Sequence, residues 1–213
     1  MELTDRQSPG IRILSVDDHP LLREGIAAII NSQSDMTLAA VASTGKEAIQ
    51  RFREHQPDVT LMDLRLPDVS GIEALIAIRT EFPEARVIML TTFNGDVDIQ
   101  RSMKAGAHGY LLKNTPRKEL LDAIRRVHSG RKSVPPEVAA QLAEHFSAEP
   151  LTDREVDVLR HLGGGNRNKD IAGHLFISEE TVKVHVRHIM EKLGAIDRTQ
   201  ALAIAARRGI IVI

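Results

Sequence analysis

Five short runs of apolar and β-branched residues punctuate the first part of the chain: Ile11–Val16, Met36–Ala42, Asp58–Met62, Arg86–Leu90 and Gly109–Leu112. Between them lie longer stretches with helix-like spacing, Leu21–Asn31, Lys46–His55, Ile72–Phe82, Val97–Ala105 and Thr115–Ser129. Strands alternating with helices through short Gly-, Pro- and Asp-containing connections predict a five-stranded parallel sheet covered on both faces. The pattern breaks after Gly130. Ser133-Val134-Pro135-Pro136 interrupts it, Glu137–Phe146 reads as a short helix, and Ser147-Ala148-Glu149-Pro150 reads as a joint. A first domain over 1–130, a linker with a short helix over 131–149 and a second domain over 150–213 follow from this.

The second domain reads as all-helical, apart from a strand-like apolar stretch at the last four residues. Thr152-Asp153-Arg154-Glu155 is a capping box, with Leu151 and Val156 placed for a hydrophobic staple, so a helix begins there. Gly163-Gly164-Gly165 ends it as a flexible connection. A short helix over Lys169–Leu175, a cap at Ser178 opening a longer helix to Leu193, and a last helix over Arg198–Arg208 complete the set. At 100° per residue, Val182, Val186, Ile189 and Leu193 form one stripe of the long helix, while Glu180, Lys183, Val184, Arg187 and Glu191 lie opposite.

Composition narrows the chemistry. There is no cysteine among the 213 residues, which excludes disulfides, thiolate metal sites and cysteine nucleophiles. No apolar stretch reaches the roughly 18 residues of a membrane span, and the charged start Met1–Gln7 lacks the apolar core of a signal peptide. A cytoplasmic protein with no membrane partner is expected. The net charge of −1 divides unevenly: residues 1–150 hold 18 Lys and Arg against 21 Asp and Glu, residues 151–213 hold 10 against 8. An acidic front half thus precedes a mildly basic tail.

The acids cluster where strands end. Asp17-Asp18 follows the first run and Asp63 follows the third, so neighbouring parallel strands would bring three carboxylates to one rim, where open α/β sheets place ligands. Like charges at contact distance raise one another's pKa values, and such a rim needs a cation or a proton. Alternatively, Asp17-Asp18 ahead of Pro20 starts a helix and Asp63 ahead of Leu66-Pro67 is a turn residue. Those readings must also accommodate Thr91 and Lys113 at the ends of the fourth and fifth runs.

Asp17, Asp18, Asp63, Thr91, Tyr110 and Lys113, with Pro67 and Gly71, stand in the order found in receiver domains. Leu151–Glu155, Asn168-Lys169-Asp170-Ile171-Ala172 and Ser178–Leu193 match a second pattern. Over nearly its whole length the chain resembles bacterial two-component response regulators that join a receiver to a LuxR-type (NarL/FixJ-like) helix-turn-helix. The resemblance implies a flavodoxin-like, doubly wound α/β receiver followed by an all-α four-helix DNA-binding domain. It implies phosphoryl transfer from a sensor histidine kinase to Asp63, with Mg²⁺ held by Asp17, Asp18, Asp63 and the backbone carbonyl of Arg65. Lys113 would pair with Asp63 at rest and with the phosphoryl oxygens afterwards, Thr91 would donate its hydroxyl, and Tyr110 would act as a rotamer switch. The receiver would catalyse only its own phosphorylation and dephosphorylation. One departure stands out: Asn114 follows Lys113 where receivers commonly carry proline, and Pro116 comes two residues later. A Mg²⁺-dependent aspartyl phosphatase also uses carboxylates at strand ends, but needs an Asp-x-Asp spacing that Asp17-Asp18-His19 lacks.

For the second domain the resemblance places base contacts at Lys183, Val184 and Arg187, in a major groove of promoter DNA. Asn168, Lys169, Thr181 and His188 are candidates for phosphate contacts by residue type and location. Useful affinity requires two copies, so a homodimer is expected when the protein is phosphorylated or on DNA. Thr199, Ala203 and Ala206 offer small side chains for pairing, while Leu202 and Ile204 pack the domain's own core. RNA polymerase is a further expected partner.

Overall fold

The computed structural model describes residues 10–92, 96–136, 138, 149 and 151–211. The helix expected over Glu137–Phe146 and the joint before Leu151 lie essentially outside them. The chain forms two compact units, whose main bodies lie before and after Pro136.

In the first unit, β1 (Ile11–Val16), β2 (Met36–Ala42), β3 (Val59–Asp63), β4 (Val87–Thr91) and β5 (Gly109–Leu112) form one parallel sheet in the order β2-β1-β3-β4-β5. Helices α1 (Pro20–Asn31), α2 (Gly45–His55), α3 (Gly71–Glu81), α4 (Asp96–Lys104) and α5 (Arg117–His128) alternate with the strands. Every residue of β3 and β4 is buried, as central strands covered on both faces require. The predicted strands at Asp58 and Arg86 begin one residue later than expected. Asp58 instead closes the strand start, its Oδ2 accepting the Arg12 N–H at 2.8 Å. Helix α5 begins after Pro116 rather than at Thr115, because proline fixes the preceding turn as the helix boundary.

Register carries the sheet into function. Val16 pairs with Met62, Asp63 with Leu90 and Thr91 with Leu112. The residues that follow these pairs therefore surface at one rim, at the β1/β3 point where strand order reverses. On the outer edge of β5, Ser133 forms an isolated bridge with Gly109 and exchanges hydrogen bonds with His108 and Tyr110.

The second unit holds α6 (Asp153–Gly163), α7 (Asn168–Leu175), α8 (Glu179–Leu193) and α9 (Arg198–Arg207). The Thr152 capping box forms as expected. Val158, Leu159, Leu162, Ile171, Val182, Ile189, Leu193, Ala201, Ala205 and Ile211 build its core. Ile210 and Ile211 join that cluster without forming a strand. Within α9 the deepest residues are Ala201 and Ala205, with Leu202 and Ile204 packed partly buried against them. The triple glycine is a bonded helix stop rather than a loose connection. Gly164, Gly165 and Asn166 donate to the carbonyls of Arg160, Leu162 and His161, and Gly165 takes φ 78°.

Candidate functional site

The strand ends bring the expected residues together. Asp17 is fully buried, Asp63 is 3% exposed and Thr91 2% exposed. Lys113 Nζ lies 2.8 Å from Asp63 Oδ2 and 2.8 Å from Asp17 Oδ2, so one ammonium spans two strands' carboxylates. The approach to Asp63 has hydrogen-bond geometry, whereas that to Asp17 is an ion pair off the bonding direction. The loop carrying Lys113 continues the sheet: Lys113 N–H donates to the Thr91 carbonyl at 2.7 Å and Thr115 N–H to Leu112 at 2.9 Å. Proline after the lysine is therefore dispensable for placing it. Tyr110 is fully buried opposite Met89, and Thr92 is exposed.

Burial pushes the Asp63 carboxyl above its ordinary value and the Asp17 charge adds to the shift, while Lys113 and the Arg65 N–H (3.2 Å to Oδ1) oppose it without reversing it. Burial alone would lower Lys113, but the close carboxylates of Asp17 and Asp63 hold it above the usual lysine range. The rim is thus a strained set of acids with its own counter-ion.

His19 was not apparent from the sequence as part of this rim. Its backbone N–H donates to Asp17 Oδ1 at 2.9 Å, and its Nδ1 lies 3.0 Å from Asp17 Oδ1 and 2.6 Å from Asp18 Oδ1. Neither aspartate caps α1, whose N-cap is His19 with no side-chain cap bond. Neither carboxylate is spent on a helix cap, and both turn toward His19 and the rim. Ligand atoms of Asp17, Asp18, His19 and Asp63 all fall within 4.8 Å of one another. The set is rich in hard oxygen donors, which suits a divalent cation such as Mg²⁺.

One support around the rim also escaped sequence reading. Asp68, in the loop after β3, accepts from Gly45 N–H at 2.7 Å and Lys46 N–H at 3.0 Å, tying that loop to the start of α2. Burial would raise its carboxyl, but the N–H groups of Lys46, Val69 and Gly45 outweigh this and lower it to about 2. Gly71, singled out with Pro67 in the sequence, presses so close beneath β3 that a Cβ would sit 2.0 Å from the Asp63 carbonyl oxygen.

In the second unit, α7, a turn and α8 make a helix-turn-helix. Val182, Ile189 and Leu193 are buried and Val186 partly so, as the spacing predicts. Lys183 and Arg187 are exposed on the opposite face, with Lys183 Nζ 3.1 Å from Glu180 and Arg187 Nε 3.9 Å from Glu191. Val184, Thr181, His188 and Asn168 are half-buried, and Lys169 is exposed. Thr199 and Ala203 are exposed on α9 and Ala206 is half-buried; Ile196, just before them, is 86% exposed.

Comparison with known proteins decides the family. Residues 13–125 match the response regulator receiver domain and residues 149–205 match the bacterial regulatory proteins of the luxR family. The chain belongs to the LuxR-type two-component response regulators. It is 43% identical over 212 residues to the uncharacterized transcriptional regulatory protein YxjL of Bacillus subtilis, covering 94% of this chain and 97% of that one. It is 37% identical to the response regulator protein VraR of Staphylococcus aureus, covering 94% and 99%. Among solved structures, response regulator ChrA of a heme-sensing two-component system superposes with a TM-score of 0.58 at 37% identity, covering 96% of this chain and all of that one.

The response regulator therefore couples a phosphorylation-dependent receiver to a DNA-binding output domain and acts in transcription control. Among its described residues, no helix is long and apolar enough to cross a membrane. Two adjacent residues at the start of α6 tie it to both helices of the helix-turn-helix. Arg154 donates to the Leu175 carbonyl at the end of α7. Glu155, 3% exposed, accepts from Lys192 Nζ at 3.0 Å near the end of α8 and from Thr152 N–H at 2.8 Å. Burial alone would raise the Glu155 carboxyl, but these donors hold it below its ordinary value.

Between α7 and α8, Phe176 caps α7 with φ 53° and is 94% exposed. A left-handed backbone costs a side chain about 1–2 kcal/mol relative to glycine.

Proposed function

We propose that Asp63 is the phosphoacceptor, within a receiver over residues 1–130 linked through 131–149 to the DNA-binding domain over 150–213. The observation that carries this reading is the Lys113 ammonium set at 2.8 Å from both Asp63 and Asp17 at adjoining strand ends. A carboxylate oxygen of Asp63 attacks phosphorus in line while the N–P bond of the kinase phosphohistidine breaks and its electron pair returns to the imidazole. Lys113 then follows the phosphoryl oxygens, and Thr91 donates its hydroxyl to one of them. Asp17, Asp18, Asp63 and the Arg65 carbonyl are the donors that would hold Mg²⁺, which when bound offsets charge on the transferring phosphoryl group. Tyr110 reports the change through its rotamer.

The output is a homodimer on promoter DNA. Lys183, Val184 and Arg187 face the bases, Asn168, Lys169, Thr181 and His188 face phosphates, and Thr199, Ala203 and Ala206 face the second copy. The protein works in the cytoplasm together with RNA polymerase. Taking the switch from 1:99 to 99:1 requires about 5.5 kcal/mol of differential stabilisation, which two charge-assisted contacts and dimerisation together can provide. Footprinting with and without acetyl phosphate tests the scheme. Protection by the parent protein is expected to extend to lower concentration on phosphorylation, and protection by Asp63→Ala to stay unchanged. Equal responses from the two proteins would remove the phospho-switch and leave DNA binding standing.

A further inference from the structure

The acidic rim of the receiver holds one donor atom that is not a carboxylate oxygen. His19 Nδ1 lies 3.0 Å from Asp17 Oδ1 and 2.6 Å from Asp18 Oδ1, and ligand atoms of these three residues and Asp63 share one group within 4.8 Å. Lys113 approaches the other oxygens, Oδ2 of Asp17 and Oδ2 of Asp63, each at 2.8 Å. The imidazole and the ammonium therefore address different oxygens of Asp17. His19 is placed by its backbone, whose N–H donates to Asp17 Oδ1 at 2.9 Å. Its side chain makes no cap bond to α1 and is 68% exposed, so the ring is free to turn.

In one tautomer Nδ1 donates to the carboxylates, and in the other it offers them nothing but presents a lone pair to a cation. Adjacent ligand atoms around an octahedral ion at about 2.1 Å stand about 3.0 Å apart. That is the separation between His19 Nδ1 and Asp17 Oδ1. A cation entering the rim can thus take the imidazole together with the acids, shared coordination replacing the short contact to Asp18. Nitrogen is a poor ligand for Mg²⁺, which prefers oxygen and keeps its waters, and a better one for first-row transition ions. We propose that His19 Nδ1 is a ligand of the rim's divalent cation and shifts the site's preference from Mg²⁺ toward Mn²⁺. This rests on the reading of Asp17, Asp18 and Asp63 as a metal-holding set.

The test loads the full-length protein with Mn²⁺ for electron spin-echo spectroscopy and titrates Mn²⁺ and Mg²⁺ by calorimetry. The parent should show the modulation of a directly bound imidazole nitrogen, and His19→Ala should lose it. The ratio of Mn²⁺ to Mg²⁺ affinity should fall about tenfold in His19→Ala, chiefly through weaker Mn²⁺ binding. His19→Asn keeps a hydrogen-bond donor for the acids but no nitrogen lone pair, and should behave as His19→Ala does. Both variants retain the backbone N–H that binds Asp17 and should melt with the parent. A nitrogen signal absent from the parent, or persisting in His19→Ala, overturns the proposal, as does an unchanged affinity ratio. So does a parental ratio in His19→Asn, which would leave the imidazole only a hydrogen-bonding support for the carboxylates. If neither ion binds the parent, the metal reading of the rim fails and His19 with it, an outcome distinct from binding without a nitrogen signal.

Discussion

The two units place their charges in opposite ways. In the receiver the functional groups are buried and held before any ligand arrives: Asp17 and Asp63 are almost without exposure, and the Lys113 side chain is 10% exposed. On α8, the helix proposed to read DNA, the Lys183 and Arg187 side chains are 53% and 63% exposed, and their partners are weak surface pairs. There the buried charge, Glu155 with Lys192, lies behind the reading face. A phosphoryl-transfer site must have its electrostatics set beforehand, because the charge it stabilises is short-lived. A groove reader needs a fixed backbone and free side-chain tips, so it keeps its rigid polar contacts at the back of the helix.

The largest effect expected from breaking this arrangement comes at Gly71. Gly71→Ala places a Cβ 2.0 Å from the Asp63 carbonyl, against backbone that cannot rotate away. The receiver should lose about 3 kcal/mol or more, read as a lower urea midpoint with the melting of the second unit unchanged. Glu155→Ala is expected to cost the second unit about 3 kcal/mol by uncoupling Lys192 and the Thr152 cap, with urea unfolding of that unit as the measurement. The same residue sets a pH response. Its folded carboxyl lies below the ordinary 4.5, so its stabilisation is complete above that value and is lost as pH falls through the lower folded value. The parent unit should therefore lose stability faster than Glu155→Gln on acidification below about pH 4.5.

Smaller effects sharpen the contrast. Arg187→Ala should cost about 1–3 kcal/mol on the preferred promoter and flatten discrimination between sequences, whereas Lys169→Ala should weaken all sequences alike and reduce the salt slope by about one. Titration of promoter and scrambled fragments at several salt concentrations separates the two. Lys113→Met removes the resident cation, and Mg²⁺ binding to the receiver should tighten by about tenfold. Unchanged affinity by calorimetry would show that the lysine does not compete with the metal.

What the sequence revealed follows from how each signal is encoded. Strands, helices and the buried stripe of α8 were legible because burial repeats at short periods, and the alignment of Asp17, Asp63, Thr91 and Lys113 followed from their places at strand ends. The capping box at Thr152 is likewise local. His19 was missed because its role depends on an Asx-type turn that returns its N–H to Asp17. Asp68 with Gly45 and Glu155 with Lys192 are 23 and 37 residues apart, and no local pattern announces such pairs. Phe176 left no trace either, since the sequence marks a left-handed cap only when glycine or asparagine occupies it. The equivalent box at Ser70 and Glu73, which starts α3 one residue before the expected Ile72, obeys the same local rule as Thr152 but was not read from the sequence.

Lys113 has one more consequence, for the birth of the protein. Structural metal sites often make folding wait for their ion, because ligands that repel one another cannot assemble without it. Here the chain brings its own cation to the acids from the far side of the sheet. The receiver is therefore expected to fold to the same urea midpoint with and without a chelator, divalent metal being needed for its chemistry and not for its assembly.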